Sequence, residues 1–158
     1  RRNVLHALDG FGFVVPSVLN KHILAAGFSS VKFKGRAPAD LAILRAFVGG
    51  ALFPHLMELS DSEMRDRAFA DLCFYLSIKS PARGLPYRHA QVSRWHNAMP
   101  QYAVGHRQTV KAIETRVGAL KGLFLSGAAY EGVGIPDCIR SANQAAQAAI
   151  NSLFQPVS

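Results

Sequence analysis

The spacing of apolar residues changes along this chain, and that change constrains its fold more than any other feature. Between residues 10 and about 48, three apolar segments read GFGFVVP, HILAAGFSS and LAILRAFVGG, each bounded by Pro, Gly, Asn or Lys. In the first segment Phe11, Phe13 and Val15 alternate with other residues, which places the large side chains on one face of a strand. The first part of the chain therefore predicts a sheet.

Further along, apolar residues recur at helical spacing instead. Ser60 and Glu63 have the spacing of a capping box, which predicts a helix starting there. Pro136 suits the first turn of a last helix, over residues 136–154, where its missing N–H costs nothing. The segment YRHAQVSRW is predicted to be extended. The three helical stripes are Met64, Ala68, Leu72, Cys73 and Leu76; Val110, Ile113, Val117 and Leu120; and Ile139, Ala142, Ala146, Ile150 and Leu153.

A glycine-rich loop, EGVGIPDCIRS, precedes the last helix. The apolar run GLFLSG before it predicts a fully buried strand. A strand, loop and helix in this order point backbone N–H groups and the positive helix end at a phosphate or an electron-rich ring. Gly132 and Gly134 would let a flat ligand approach closely. On spacing alone a packing turn explains the loop equally well, and the third glycine of a dinucleotide fingerprint is missing.

Charge and cysteine content narrow the function classes. The 18 Lys and Arg against 10 Asp and Glu give a formal charge of +8, which suits acidic ligands or an anionic membrane surface. Nucleic acid is not predicted, because the basic residues are scattered and lack interleaved aromatics. Cys73 and Cys138 lack metal-ligand spacing, so no metal site is predicted and a reducing compartment is favoured. No apolar run reaches the roughly 18–20 residues of a spanning helix, which predicts a soluble or peripheral protein.

Several motifs together resemble one family. The segment LFLSGAAYEGVGIPDCIRSANQAA is similar to the carboxy-terminal signature of the oxygen-dependent protoporphyrinogen oxidases, flavoproteins of the amine oxidase and phytoene desaturase superfamily. GFGFVVP, FSSVKFKGRAP, AFVGG and RWHNAMPQYAVGH resemble further blocks of that family, in the same order. The resemblance covers about residues 8–154. It implies that the chain corresponds to the final part of such an enzyme, without the glycine fingerprint that holds the FAD pyrophosphate.

The resemblance implies an FAD-dependent oxidase of heme biosynthesis that passes electrons from protoporphyrinogen IX or coproporphyrinogen III to O2. It implies no catalytic side chain that acts as a base. The isolated chain is expected to bind FAD weakly or not at all and to lack oxidase activity. The implied flavin-contacting residues are Trp95, Val133, Gly134, Ile135 and Pro136, and the implied substrate-contacting residues are Phe47, stacked on a pyrrole ring, and Val14, an apolar wall.

Chemistry alone adds two arginines and sets the histidines aside. Arg45 and Arg88 have the forked donors that bind substrate propionates, although surface salt bridges explain them as well. The histidines are interpreted as ordinary polar residues rather than as a base; they are His22, His89, His96 and His106.

The predicted fold class is α+β. Residues 1–100 are expected to supply strands of a mixed substrate-domain sheet, and residues 101–158 the last strand, loop and helix of a Rossmann-like FAD domain. The expected setting is cytoplasmic, with possible peripheral contact to the cytoplasmic membrane and a homodimer of the parent protein. Two alternatives stay open: a non-catalytic tetrapyrrole-binding module, and a domain that docks on anionic membranes through a basic face.

Overall fold

A computed structural model describes residues 1–79 and 87–154 of the chain. The chain divides into two compact units, Arg1–Arg94 and Trp95–Ser158. The division falls between Arg94 and Trp95, a few residues before the predicted boundary at residue 100. Each unit is described by itself below.

The first unit is built on a three-stranded sheet. Its strands are β1 (Gly12–Val14), β2 (Ile23–Phe28) and β3 (Leu44–Val48), in the spatial order β1-β2-β3. Both pairings are antiparallel, where the sequence led us to expect a mixed sheet. All three predicted strand segments are present, and together with the helices they confirm the α+β class.

Helices complete the first unit. A single turn, α1 (Ser29–Lys32), follows β2, and two short 3-10 helices span Ser17–Leu19 and Pro54–Glu58. The main helix is α2 (Asp61–Leu76), which begins with the predicted capping box. The Ser60 hydroxyl accepts a hydrogen bond from the Glu63 N–H at 3.2 Å, and the Glu63 carboxylate accepts one from the Ser60 N–H at 3.0 Å. Hydrogen bonds from Ser60 lower the pKa of the Glu63 carboxyl.

The core of the first unit lies between the sheet and α2. Asp71 of α2 is only 5% exposed, and its carboxylate accepts hydrogen bonds from the backbone N–H groups of His22 at 2.6 Å and Ile23 at 3.2 Å. This buried carboxylate therefore ties α2 to the start of β2. The buried apolar residues of this core are Leu8, Val15, Ile23, Ala26, Phe28, Ala68, Leu72 and Leu76.

The second unit contains α3 (His106–Gly118) and α4 (Ile135–Leu153), both predicted from their periodicity. The predicted strand GLFLSG is wrong, because residues 122–127 form no strand in the structure. Gly122 and Gly127 bound this segment with positive φ values of 80° and 118°, and no strand of the described part of this unit lies beside it to complete a hydrogen-bonded ladder. Residues 87–95, predicted to be extended, also form no regular strand.

Within residues 1–79 and 87–154, none of the helices combines the length and the apolar character that crossing a lipid bilayer requires.

Candidate functional site

The outer face of the sheet, the face opposite α2, carries both residues predicted to contact substrate. Paired residues of an antiparallel sheet project to the same face. Val14 pairs with Ala25, and Ala25 pairs with Phe47, so these three residues form one row across the sheet. Val14 is 81% exposed and Phe47 49% exposed, and roughly 10 Å separates the outer strands. The structure thus brings Val14 and Phe47 together around a small central residue.

The next row of the same face is nearly flat. Gly12 pairs with Gly27, and Gly27 pairs with Arg45. Two glycines in succession leave the backbone uncovered there, and the exposed Arg45 side chain rises at the β3 end of the row. The outer face therefore combines an apolar row, a low platform and one cation.

The opposite face of the sheet supports this outer face. Phe13 packs against Phe28 and Tyr75, with ring centroids 6.1 Å and 5.2 Å away. Phe13, Ala26 and Ala46 are paired with one another across the strands and pack in or against the core. Phe47, on the other face, lies outside that core, so core packing does not account for it.

The two arginines singled out by their chemistry differ in their surroundings. The Arg88 guanidinium lies 3.6 Å from the Asp40 carboxylate, which fits a surface salt bridge. Arg45 forms no salt bridge with any residue of the described part of the chain. The structure therefore distinguishes two arginines that the sequence left equivalent: Arg88 has a carboxylate partner, and Arg45 has none among the described residues.

The second candidate surface is the turn that starts α4, residues 132–136. Gly134 precedes the helix in an extended conformation, and Pro136 lies in the first turn as predicted. Within residues 1–79 and 87–154, no side chain caps the first N–H groups of this helix. Val133 and Ile135 project from the turn and are exposed. Two apolar side chains thus flank a set of backbone donors at the positive end of a 19-residue helix.

The glycines of this turn make room for a side chain of the chain itself. A Cβ atom at Gly132 would lie 2.6 Å from an Asp137 carboxylate oxygen, and one at Gly134 would lie 3.0 Å from the same oxygen. Asp137 is in the first turn of α4 and pairs with Arg140 at 2.7 Å. The sequence suggested that these glycines let a flat ligand approach closely, whereas the structure shows that the Asp137 carboxylate occupies the space beside them.

Hydrogen bonds fix the loop that leads into the turn. The Tyr102 hydroxyl donates to the Ala128 carbonyl, and His106 Nε2 lies 2.9 Å from the Tyr130 carbonyl oxygen. The Tyr102 and His106 rings are stacked, with centroids 4.2 Å apart. At the start of the loop, the Gly127 N–H donates to the buried Ser141 hydroxyl at 3.2 Å. From the sequence, His106 was interpreted as an ordinary polar residue. Tyr102 lies outside α3, so the four-residue spacing of the two rings was no helical signal for this contact.

Trp95 begins the second unit, and its side chain is 78% exposed. An exposed indole of this size can contact a ligand, and the flavin contact that the family resemblance implies for Trp95 stays a prediction. Two cavities, of about 160 Å³ beside α4 and about 180 Å³ beside α2, include none of the predicted site residues.

Comparison with known proteins identifies the family. Residues 1–150 match the family described as flavin containing amine oxidoreductases, and this chain belongs to that family. The predicted family resemblance is thereby confirmed, and FAD is the cofactor that it implies.

Several relatives of the chain are named as oxidases of porphyrinogens. The chain is 37% identical over 147 residues to coproporphyrinogen III oxidase of Bacillus subtilis, covering 92% of this chain and 30% of the relative. It is 31% identical to the mitochondrial protoporphyrinogen oxidase of Nicotiana tabacum, covering 97% and 30%. A solved structure from Exiguobacterium sp. 255-15, provisionally titled a protoporphyrinogen oxidase, superposes with a TM-score of 0.75 at 30% identity, covering 97% of this chain and 33% of that one. The chain spans about a third of the length of these relatives.

Proposed function

We propose that this chain supplies the substrate face and part of the flavin-binding surface of an FAD-dependent oxidase. Its substrate is coproporphyrinogen III or protoporphyrinogen IX, oxidised to the porphyrin with O2 in heme biosynthesis. The observation that carries this proposal is the row of Val14, Ala25 and Phe47, which presents two large apolar side chains on one exposed sheet face. The names of the relatives support the choice of porphyrinogen.

The substrate face has the shape that a tetrapyrrole macrocycle requires. The macrocycle is a broad apolar ring system with carboxylates at its edge. One face of the ring system can lie on a protein surface from which no large side chain protrudes. Gly12, Ala25 and Gly27 provide such a surface, and Phe47 and Val14 border it. Phe47 stacks on a pyrrole ring in this arrangement, and Val14 forms the apolar wall on the other side.

The turn at α4 has features that fit the isoalloxazine ring of FAD. When bound, FAD accepts the electrons removed from the substrate. Val133, Gly134, Ile135 and Pro136 would hold the ring edge, with Trp95 as a further contact. The uncapped N–H groups of α4 favour negative charge at that edge, and the Asp137 to Arg140 ion pair keeps the nearby carboxylate compensated.

The proposed function includes a cellular location and an oligomeric state. We place the parent protein in the cytoplasm, as a homodimer that contacts the cytoplasmic membrane peripherally. The formal charge of +8 supports attraction to an anionic membrane surface.

A chimaeric enzyme tests the proposed activity. Residues 1–158 replace the matching segment of the Bacillus subtilis relative, and oxidation of both porphyrinogens is followed by porphyrin fluorescence. We expect the chimaera to bind FAD and to be active, and Phe47→Ala to lower kcat/KM by at least about tenfold because ring stacking is lost. Phe74→Ala is the matched control, because Phe74 is also exposed but lies on α2 rather than on the sheet face.

Two results would contradict the proposal. A chimaera that binds FAD but oxidises neither porphyrinogen would favour the non-catalytic binding module instead. Equal losses from Phe47→Ala and Phe74→Ala would remove the sheet face from substrate binding. For the 158-residue chain alone, we expect no stoichiometric flavin absorbance after purification with added FAD.

A further inference from the structure

The outer face of the sheet contains one charged residue whose role the proposed function leaves open. Arg45 lies two residues before Phe47 on β3, so both side chains project to the same face. Their Cα atoms are roughly 7 Å apart along the strand. The residues in the same row as Arg45, Gly27 and Gly12, have no side chains that would shield the Arg45 guanidinium from a ligand lying on the face.

The geometry points to Arg45 as the residue that recognises a propionate of the macrocycle. This inference rests on the proposed function. It adds which group of the substrate is recognised and which residue recognises it. When a pyrrole ring stacks on Phe47, the propionates on the edge of the macrocycle extend beyond the ring by a distance comparable to the spacing of the two residues. The forked donors of arginine match a carboxylate in two parallel hydrogen bonds.

Charge complementarity favours Arg45 over the other candidate. Arg88 lies against the Asp40 carboxylate at 3.6 Å, while Arg45 forms no salt bridge within the described residues. A bound propionate would therefore complete an ion pair at Arg45 without breaking an existing one.

Porphyrin binding to the FAD-loaded chimaera, with each variant made in its 158-residue segment, tests this role directly. The stable probes are coproporphyrin III, a tetracarboxylate, and its uncharged tetramethyl ester, each titrated by fluorescence in a nonionic detergent. We expect Arg45→Gln to weaken coproporphyrin III binding about tenfold and to change ester binding by less than about twofold. Arg45→Lys keeps the charge but loses the fork, so an intermediate affinity is expected.

Two further variants locate the bound ligand. Arg88→Gln removes the same charge elsewhere and is expected to leave both affinities unchanged. Gly27→Val raises a branched side chain from the platform between Val14 and Arg45, and is expected to weaken binding of both probes. A Cβ at Gly27 would lie 3.8 Å from the Phe11 carbonyl oxygen, an ordinary contact, and β-branched residues suit strands, so the variant is expected to fold. Circular dichroism confirms that each variant is folded.

The outcomes separate this inference from the function on which it rests. Equal effects of Arg45→Gln and Arg88→Gln on coproporphyrin III, or equal losses of both probes in Arg45→Gln, would overturn the role of Arg45 while leaving the substrate face in place. Binding unaffected by Gly27→Val would show that the ligand lies elsewhere and would overturn the inference as well. Absence of binding of either probe to the unmodified, FAD-loaded chimaera would contradict the substrate face itself, and with it the proposed function.

Discussion

Replacing Gly12 with alanine is expected to destabilise the first unit by at least about 3 kcal/mol. Gly12 has a φ of 150°, and a Cβ there would lie 2.1 Å from the Ala26 carbonyl oxygen and 2.9 Å from the Gly27 Cα. Both of these atoms belong to the backbone of β2, so the conflict is relieved only by moving β1 away from the sheet. Urea denaturation followed by circular dichroism measures the loss.

Gly27 provides a matched control, because it pairs directly with Gly12. The nearest atom to a Cβ at Gly27 is 3.8 Å away, and alanine is better than glycine inside a strand, so Gly27→Ala is expected to be neutral or up to about 1 kcal/mol stabilising. Equal stability of Gly12→Ala and Gly27→Ala would show that β1 does not pair as described. Because β1 carries Val14, we also expect Gly12→Ala to weaken porphyrin binding, and Gly27→Ala to preserve it.

The elements of this chain that local rules determine were predictable from the sequence. Alternation along GFGFVVP places Phe13 on the core side of β1 and leaves Val14 exposed, as the structure has it. The capping box at Ser60 and Glu63 starts α2, and Pro136 lies in the first turn of α4. Each of these features depends on residues close together in the sequence.

The composition of the candidate site depends instead on contacts between distant residues. Alternation does not specify that Val14 and Phe47 share one row, because that follows from the register of both strands with β2. The difference between Arg45 and Arg88 depends on Asp40, which no motif links to either. The glycines at the α4 turn could be recognised, but the carboxylate that occupies the space beside Gly132 could not.

An apolar pattern predicts burial, but it does not indicate which other element covers the apolar side chains. GLFLSG has the composition of a buried strand, yet a strand forms only where a neighbour completes its ladder. The apolar stripe of α4 shows the same limit, since Ile139, Ile150 and Leu153 are exposed in the structure. Local sequence therefore predicted the helical period of α4 correctly, but neither the structure of GLFLSG nor the exposure of the α4 stripe.

The buried carboxylate of Asp71 is the second position where a small change has a large expected effect. Asp71→Ala removes the acceptor of two backbone N–H groups at the start of β2 and leaves both without a partner close to the core. It also removes the anion that lies 3.4 Å from His22 Nδ1 and 4.0 Å from Lys21 Nζ. An unsatisfied buried donor costs about 1–3 kcal/mol, so we expect the variant to lose about 3 kcal/mol of unfolding free energy.

Asp66 on the same helix is the control, because its carboxylate is 64% exposed and, among the described residues, pairs only with its neighbour Arg65. Asp66→Ala is expected to cost less than about 0.5 kcal/mol, as exposed ion pairs usually do. Asp71→Asn keeps one carbonyl acceptor and should fall between the two, which preserves a measurable transition if the alanine variant does not fold. A loss of unfolding free energy in Asp71→Ala no greater than in Asp66→Ala would show that the Asp71 carboxylate does not hold β2 in place. Because β2 is the central strand and carries Ala25 and Gly27, Asp71→Ala is also expected to disturb the substrate face, although Asp71 is not on that face.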